Sequence, residues 1–218
     1  IDIFVSGNFS EGKNNVDEII KKQINEKNVQ PRNIDVYVEN EVKEPVAEKV
    51  VRETMDVSQG KLVIGLDVTK LEPEDKAVAS VYNAILGGGA NSKLFQNVRE
   101  KAHLAYVASS SYMRYKSNIF IKCGIEIGNY EKTLTLVKKQ IEDMKKGDFT
   151  QEEIENAKKG IIASIKIIDD EQDTQITYYF GQELTGTIVS LEEYTKKIEN
   201  VSKEDIINIA KKVSINTI

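Results

Sequence analysis

Histidine and cysteine each occur once in this sequence, and their scarcity excludes several kinds of site. His103 is the only histidine and Cys123 the only cysteine among 218 residues. One histidine cannot form the paired-histidine zinc motifs H-E-x-x-H or H-x-x-E-H. One cysteine can form neither an internal disulfide nor a C-x-x-C metal site. We therefore expect no metal site in this chain, and cysteine usage favours a reducing, cytoplasmic location.

Clustered positive charge and long apolar runs are also missing. The formal net charge is -5, whereas affinity for nucleic acid depends on clustered Lys and Arg. No segment approaches the roughly 18 to 20 consecutive apolar residues of a membrane span, and no charged-then-apolar signal segment opens the chain. We therefore expect neither nucleic acid nor membrane as a partner. The 40% of hydrophobic residues suffices for the core of one domain.

Both ends of the sequence have the pattern of strands. Ile1–Gly7 is typical of a core strand, and Ser214–Ile218 resembles the first residues of another. Strands are rarely left unpaired at a natural terminus, and the chain begins without methionine. The sequence therefore predicts a single domain, residues 1–218, cut from a longer polypeptide.

The first third of the chain predicts one helix and a hairpin. Asn14 or Asn15 can cap the helix, and Ser58-Gln59-Gly60 is a turn between the strands Ala47–Val57 and Lys61–Val68. The apolar face of the helix would carry Val16, Ile19, Ile20 and Ile24. The segment between helix and hairpin has no clear period, although Ile34, Val36 and Val38 fit a short edge strand.

The remaining residues predict two more strands and several helices. A helix leads into Gly87-Gly88-Gly89, and strands follow over Leu104–Met113 and Ile119–Ile127. Capping-box patterns at Thr150–Glu153 and Ser202–Asp205 open two of the later helices. Because the strands come early and the later helices are consecutive, we predict the α+β class. The expected architecture is a mixed, largely antiparallel sheet of about five strands with helices packed on one face.

Three features have both a chemical and an ordinary interpretation. Cys123 lies in the middle of a strand, which favours a core residue over a nucleophile. His103 ends a helix, where the helix dipole suits it, although it could also serve a hydroxyl or thiol nucleophile. The acidic run at residues 169–171 favours a solvated helix junction, because three adjacent carboxylates on a helix do not face one point.

The triple glycine Gly87, Gly88 and Gly89 does not fit a phosphate-binding loop. Such a loop lies between a strand and a helix and continues into G-K-[ST]. Here a helix comes before the glycines, and the Lys-Ser or Lys-Thr is absent. Two interpretations stay open: a helix cap at a tight corner, and a flexible loop that also contacts a ligand.

Arg99 and Tyr106 flank a transition from the end of a helix to the start of a strand. Side chains at two neighbouring element ends can point at one location. A guanidinium and a phenol can both donate hydrogen bonds to a carbonyl oxygen that gains negative charge during acyl transfer. The ordinary alternative is an arginine paired with a local carboxylate and a tyrosine packed at a strand end.

These residues belong to a longer pattern that resembles a known family. Residues 86–106 read L-G-G-G-A-N-S-K-L-F-Q-N-V-R-E-K-A-H-L-A-Y. This run is similar to the second-domain signature of the insulinase/pitrilysin family, which includes mitochondrial processing peptidase. That signature is approximately L-G-G-G-x-x-S-x-L-F-x-x-[VIL]-R-E-x-x-x-L-A-Y. The resemblance extends over nearly the whole chain.

The resemblance implies a fold and a set of roles. Family members are built from α/β halves that close as a clamshell around a peptide, and zinc is held by an H-x-x-E-H helix in the first domain of an active half. This chain would therefore contain no cofactor, with zinc in a partner domain if the assembly is active. Arg99 and Tyr106 would contact the scissile carbonyl, and Gly87, Gly88 and Gly89 would contact substrate.

Three hypotheses for function follow. The first is a zinc-free domain that forms a chamber wall in a metallopeptidase and is inactive alone. Its partners would be the first domain of the same chain, a second half (in the same chain or in a homo- or heterodimer) and a peptide substrate. The second is a non-catalytic scaffold or peptide-binding subunit, as in an inactive paralogue. The third is an unrelated α+β binding domain.

Overall fold

A computed structural model describes residues 3–7, 15–27, 47–68, 71–183, 186 and 188–218. The chain divides into two compact units. One unit combines Ile1–Val38 with Ile168–Ile188, and the other combines Glu39–Ile167 with Val189–Ile218. The second unit contains the sheet, most of the hydrophobic core and all of the candidate site residues.

A four-stranded antiparallel sheet organises the larger unit. Its strands are β1 (Gly60–Val68), β2 (Ala105–Met113), β3 (Asn118–Ile125) and β4 (Val213–Thr217). Their order across the sheet is β2-β3-β1-β4, and every neighbouring pair is antiparallel. The predicted α+β class and antiparallel character are confirmed. The described residues form four strands rather than about five.

Alternating burial along the strands gives this sheet two different faces. We call the covered side the inner face; it includes Leu62, Ile64, Leu66, Ile119, Ile121 and Cys123. These residues join the buried side chains of the helices in one hydrophobic core. Between them in sequence lie exposed residues such as Val63 and Phe120, which belong to the outer face. A strand places successive side chains on opposite sides, so this alternation assigns each residue to its face.

The other regular elements of the described residues are helices. They are α1 (Val16–Glu26), α2 (Asp75–Gly87), a π-helix (Leu94–Lys101), a short 3-10 turn (Ile127–Asn129), α3 (Tyr130–Lys146), α4 (Gln151–Asp170), α5 (Gln172–Glu183), α6 (Leu191–Glu199) and α7 (Lys203–Lys212).

Local sequence explains where several of these helices begin and end. The two predicted capping boxes are confirmed at α4 and α7. The Thr150 N–H donates to Glu153 Oε2 over 2.7 Å, and the Glu153 N–H donates to Thr150 Oγ1 over 3.1 Å. Ser202 and Asp205 form the same reciprocal pair. Gly147 ends α3 in the left-handed conformation, with a φ of 76°, which glycine adopts without steric cost.

The predicted hairpin between Ala47–Val57 and β1 is wrong. Ala47–Val57 forms no regular strand; instead, Lys49 makes a parallel bridge to Thr217 of β4. The Lys49 N–H donates to the Asn216 carbonyl over 2.9 Å, and the Ile218 N–H donates to the Lys49 carbonyl over 2.8 Å. Because β3 and β4 already occupy both edges of β1, the segment pairs with the remaining edge of β4.

The smaller unit departs from the expected opening strand. Residues 3–7 form no strand, and Ile3 and Val5 are both exposed. Phe4 instead packs edge-to-face on Phe180, with ring centroids 5.4 Å apart. The predicted helix is confirmed as α1, but none of its residues is buried, so its apolar face does not join a core. Ile1, Asp2, Asn14 and the segment 29–45 lie outside the described residues.

Candidate functional site

A β-bulge places Tyr106 on the outer face of the sheet. Ala105 pairs with Ile125 and Val107 pairs with Gly124, so Tyr106 is an extra residue in β2. Ala105 is buried, whereas Tyr106 and Val107 are 48% and 44% exposed. Two consecutive side chains therefore emerge on one side, which a regular strand does not allow. Bulges of this kind commonly redirect a side chain beside a functional site.

The ring of Tyr106 lies across the backbone of Gly124 in β3. A Cβ atom built on Gly124 would come within 2.5 Å of the phenol oxygen and 2.7 Å of Cε2. No real Cβ tolerates such distances, so the ring occupies the space that a side chain at position 124 would need. The distal end of the phenol ring therefore lies against the sheet, while 48% of the side chain remains exposed.

Arg99 lies in the last turn of the π-helix and is also accessible. Its side chain is 44% exposed, and its Nε lies 3.4 Å from Glu100 Oε1. The guanidinium carbon stands 4.6 Å from the ring centroid of Phe95. The ordinary alternative of a local carboxylate partner is thus present in the structure. A guanidinium has five N–H donors, so this pairing leaves donors for a ligand.

The connection between Arg99 and Tyr106 has an uncommon backbone. The π-helix is a rare conformation that is frequent at functional sites. It ends at Lys101, and His103, two residues later, has a φ of 51° in the left-handed region. The His103 N–H donates to the Arg99 carbonyl, and the Leu104 N–H donates to the Val98 carbonyl over 3.0 Å. The predicted position of His103 at a helix end is confirmed, and its side chain is exposed.

The three glycines differ in what surrounds them. A Cβ on Gly87 would lie 2.5 Å from the Ser110 backbone nitrogen, and one on Gly88 would lie 2.7 Å from the Ala84 Cα atom. A Cβ on Gly89 would meet nothing within 4 Å. Gly87 ends α2 and Gly88 caps it, so packing explains these two. Only Gly89 has open space around it, as a ligand-contacting loop requires.

Burial gives Cys123 a core role. Its side chain is 2% exposed, and burial raises the pKa of the thiol to about 12. A thiol with such a pKa stays protonated at neutral pH, and the thiolate is the nucleophilic form. The interpretation of Cys123 as a core residue is confirmed.

Residues that could hold a metal ion are not grouped together in the described ranges. Asp169, Asp170 and Glu171 are exposed where α4 ends and α5 begins, as a solvated helix junction predicts. Within the residues that the structure describes, no group of three or more His, Cys, Asp or Glu side chains could bind a metal ion. In the same ranges, no helix is both long and apolar enough to span a bilayer.

A groove of about 430 Å³ beside α3 is a further concave surface, but several of its charged side chains are already paired. Lys139 donates to Asp143 over 2.6 Å, and Lys93 lies 3.5 Å from Glu153. Across the groove, Asn97 Nδ2 donates to Gln140 Oε1 over 2.6 Å. These mutual contacts indicate packing between two helices rather than a ligand site. The groove is lined by Lys93, Asn97, Lys101, Ala102, Leu136, Lys139, Gln140, Asp143 and Asp148.

Sequence reasoning did not predict the bulge or the role of Gly124. The signal lies in Ala105-Tyr106-Val107-Ala108, where two large residues separate two small ones. A regular strand would put Ala105 and Ala108 on opposite faces, yet both are buried. A break in the alternation of small and large residues could therefore have indicated the bulge.

Comparison with known proteins gives a consistent family assignment. The family model described as "Peptidase M16 inactive domain" matches residues 1–161. "Probable inactive metalloprotease YmfF" of Bacillus subtilis is 32% identical over the whole chain, which covers 50% of that protein. "Uncharacterized zinc protease YmxG" of Bacillus subtilis is 24% identical over 76% of the chain, covering 41% of that protein.

Solved structures agree with the family match. A crystal structure of a conserved protein from Enterococcus faecalis V583 superposes with a TM-score of 0.72 at 27% identity. The match covers 83% of this chain and 43% of that one. This chain therefore spans about half the length of the curated relatives it matches. The family resemblance drawn from the sequence is confirmed, and an unrelated α+β domain is excluded.

Proposed function

Because the chain belongs to the peptidase M16 inactive-domain family, we propose that it is a zinc-free wall of a peptide-binding chamber. In this proposal residues 1–218 are the second domain of one half of a longer polypeptide. Arg99 and Tyr106 donate hydrogen bonds to a substrate carbonyl. The remaining partners are the first domain, a second half and an extended peptide.

The single observation that carries the proposal is the exposed outer face of the sheet around Tyr106. Five large side chains there are between 38% and 48% exposed. We call them the outer strip: Val63, Tyr106, Val107, Met113 and Phe120. Large apolar side chains exposed on one face can mark a binding site. A peptide lying along this strip would come against the open side of the Tyr106 phenol.

The chemistry that these residues can supply is electrostatic. A phenol is a neutral hydrogen-bond donor, and a guanidinium is a charged one. Both favour a carbonyl oxygen as it gains negative charge, provided that they are fixed before the reaction. In an active assembly, zinc in the partner domain would supply an activated water. This chain's contribution is to orient and polarise the carbonyl.

Substitution of the two donors in the intact assembly tests the proposal. Arg99→Ala and Tyr106→Phe should each lower kcat by about 100-fold or more, because each removes one oxyanion donor. KM should change much less, since the contact strengthens in the transition state. Steady-state hydrolysis of a peptide library by the parent protein and its partner gives both constants.

Arg52 provides a matched control for Arg99. It is an exposed arginine 3.7 Å from a carboxylate oxygen of Glu131 and 5.1 Å from the ring centroid of Tyr130, so it has the same kinds of partner. Arg52→Ala should leave kcat unchanged. Equal losses for both arginines would contradict a specific role for Arg99, and an unchanged rate for Arg99→Ala would leave only a structural role.

A non-catalytic scaffold or peptide-binding subunit is the second candidate. The observation that favours it is the name of the Bacillus subtilis relative that aligns over the whole chain, an inactive metalloprotease. A scaffold that binds peptide should lose affinity when Val63 and Phe120 of the outer strip are replaced by serine, whether or not hydrolysis occurs. Titration of fluorescent peptides into the parent protein measures this loss.

A further inference from the structure

The contact between Tyr106 and Gly124 ties the position of a candidate donor to a residue on the neighbouring strand. Tyr106 has no paired residue on β3, because the bulge inserts it between Ala105 and Val107. Its ring therefore does not stand upright from a regular register position. It lies over Gly124, with the phenol oxygen above the site of the missing Cβ.

Another glycine on the outer face shows that this arrangement is specific. Gly65 of β1 pairs with Phe120, and a Cβ built there would meet only the Thr217 carbonyl oxygen at 3.8 Å and a Phe120 ring atom at 3.9 Å. These are ordinary van der Waals distances. A Cβ atom at position 65 thus fits without displacing any neighbour, whereas one at position 124 collides with the phenol.

From this contrast we propose that Gly124 is a positioning residue for Tyr106. Glycine in the interior of a strand is destabilising by itself. Here the missing side chain leaves a shallow depression that the phenol ring occupies, and we call this depression the seat. The bulge brings the tyrosine out of register, and the seat fixes the height of the hydroxyl above the sheet. The consequence for substrate rests on the proposed function, in which that hydroxyl contacts a peptide carbonyl.

In a Gly124→Ala variant, the new Cβ atom would collide with a side chain that can move. The nearest atoms all belong to the distal end of the Tyr106 ring, and rotation about the side-chain bonds can lift this end away. Alanine is also compatible with an extended backbone. The variant should therefore fold, with the phenol displaced outward from the sheet.

Nuclear magnetic resonance of the 218-residue chain tests the seat without reference to activity. The ring current of an aromatic side chain in contact with a glycine shifts the α-proton resonances of that glycine, so the Gly124 α resonances should move in Tyr106→Leu. In Gly124→Ala the Tyr106 ring resonances should change, whereas in Gly65→Ala they should keep their positions. Gly124 α resonances that are the same with and without the tyrosine ring would overturn the inference.

Kinetics in the intact assembly test the functional consequence. Gly124→Ala should lower kcat by a factor similar to that of Tyr106→Phe, and the double variant should lose no more than either single one, because both act through one hydroxyl. A loss in Tyr106→Phe with none in Gly124→Ala would refute positioning by Gly124. If Tyr106→Phe itself has no effect, the proposed function fails, while the resonance shifts still decide whether Gly124 seats the ring.

Discussion

The two faces of the central sheet are formed by the same strands but differ in their surroundings. On the inner face, Ile64 and Ile121 are fully buried and contribute to a continuous core. On the outer face, the neighbouring residues Val63 and Phe120 remain exposed although they are equally apolar. Hydrophobicity alone therefore does not distinguish the two sides.

The two faces differ instead in solvent exposure and in the regularity of the backbone. The inner face has a regular alternation along β1 and β3, and its polar group Cys123 is kept neutral by burial. The outer face carries the bulge at Tyr106 and, under the ring of that residue, Gly124. Close packing requires regularity, whereas a binding surface tolerates a redirected side chain. In the proposed function, the bulge at Tyr106 lies on the side of the sheet that contacts substrate.

The largest expected effect is the difference in stability between substitutions at two neighbouring residues of β1. Ile64→Ala should destabilise the chain by about 2–5 kcal/mol, because it removes buried methyl groups and leaves a cavity. Val63→Ala should change the free energy of unfolding by less than about 1 kcal/mol, since its side chain is half exposed in the folded state. Urea denaturation followed by circular dichroism measures both. A comparable loss for Val63→Ala would show that the outer strip is covered in solution.

A smaller effect should distinguish two of the three glycines. Gly87→Ala places a Cβ against the backbone of Ser110, where no flexible side chain can yield, and should cost roughly 1–3 kcal/mol. Gly89→Ala has open space around it and should stay within about 0.5 kcal/mol of the parent chain. Thermal unfolding of the two variants checks the difference. If Gly89→Ala is the more damaging, the loop packs against something that its open surroundings do not show.

The smallest effect is the pH dependence that Cys123 contributes to stability. The folded chain keeps this thiol protonated up to about pH 12 because burial raises its pKa, whereas the unfolded thiol ionises near its ordinary value. Above that ordinary value the unfolded state binds fewer protons, so stability falls as pH rises towards 12. The fall should be on the order of 1 kcal/mol per pH unit.

Cys123→Ala isolates this contribution from other titrating groups. The stability difference between the parent chain and the variant should shrink between pH 9 and pH 10 in urea denaturation. A difference that does not change with pH would mean that the thiol is solvated in the folded chain, contrary to its burial on the inner face.

Local signals predicted many helices and strands of the larger unit, but the predicted strand Ala47–Val57 does not form. The capping boxes at Thr150 and Ser202 and the left-handed end at Gly147 act within a few residues, so they can be read from sequence. The strand pairing could not be predicted in the same way. Ala47–Val57 is adjacent to β1 in sequence, yet β4, more than 140 residues later, occupies that edge. Pairing depends on which edges are free, and this is a property of the whole sheet.

The candidate site was likewise only partly predictable from the sequence. Arg99 and Tyr106 could be selected from a family signature, but their surroundings could not. The bulge that turns Tyr106 outward depends on the register with β3, and the seat under its ring depends on Gly124, eighteen positions later. The sequence also left two interpretations of the triple glycine. Packing accounts for glycine at Gly87 and Gly88, whereas Gly89 has open space around it. The substrate contact of all three glycines stays a prediction.

The sequence by itself determined the starts of α4 and α7, the α+β class, the family and the lack of a two-histidine zinc motif, because these depend on composition and on neighbours along the chain. Only the tertiary structure decided the strand order, the two faces of the sheet and the seat of Tyr106. These features arise where segments distant in sequence compete for the same edge or the same space. The packing of the whole chain decides which segment takes each position, and a local sequence pattern holds no information about that packing.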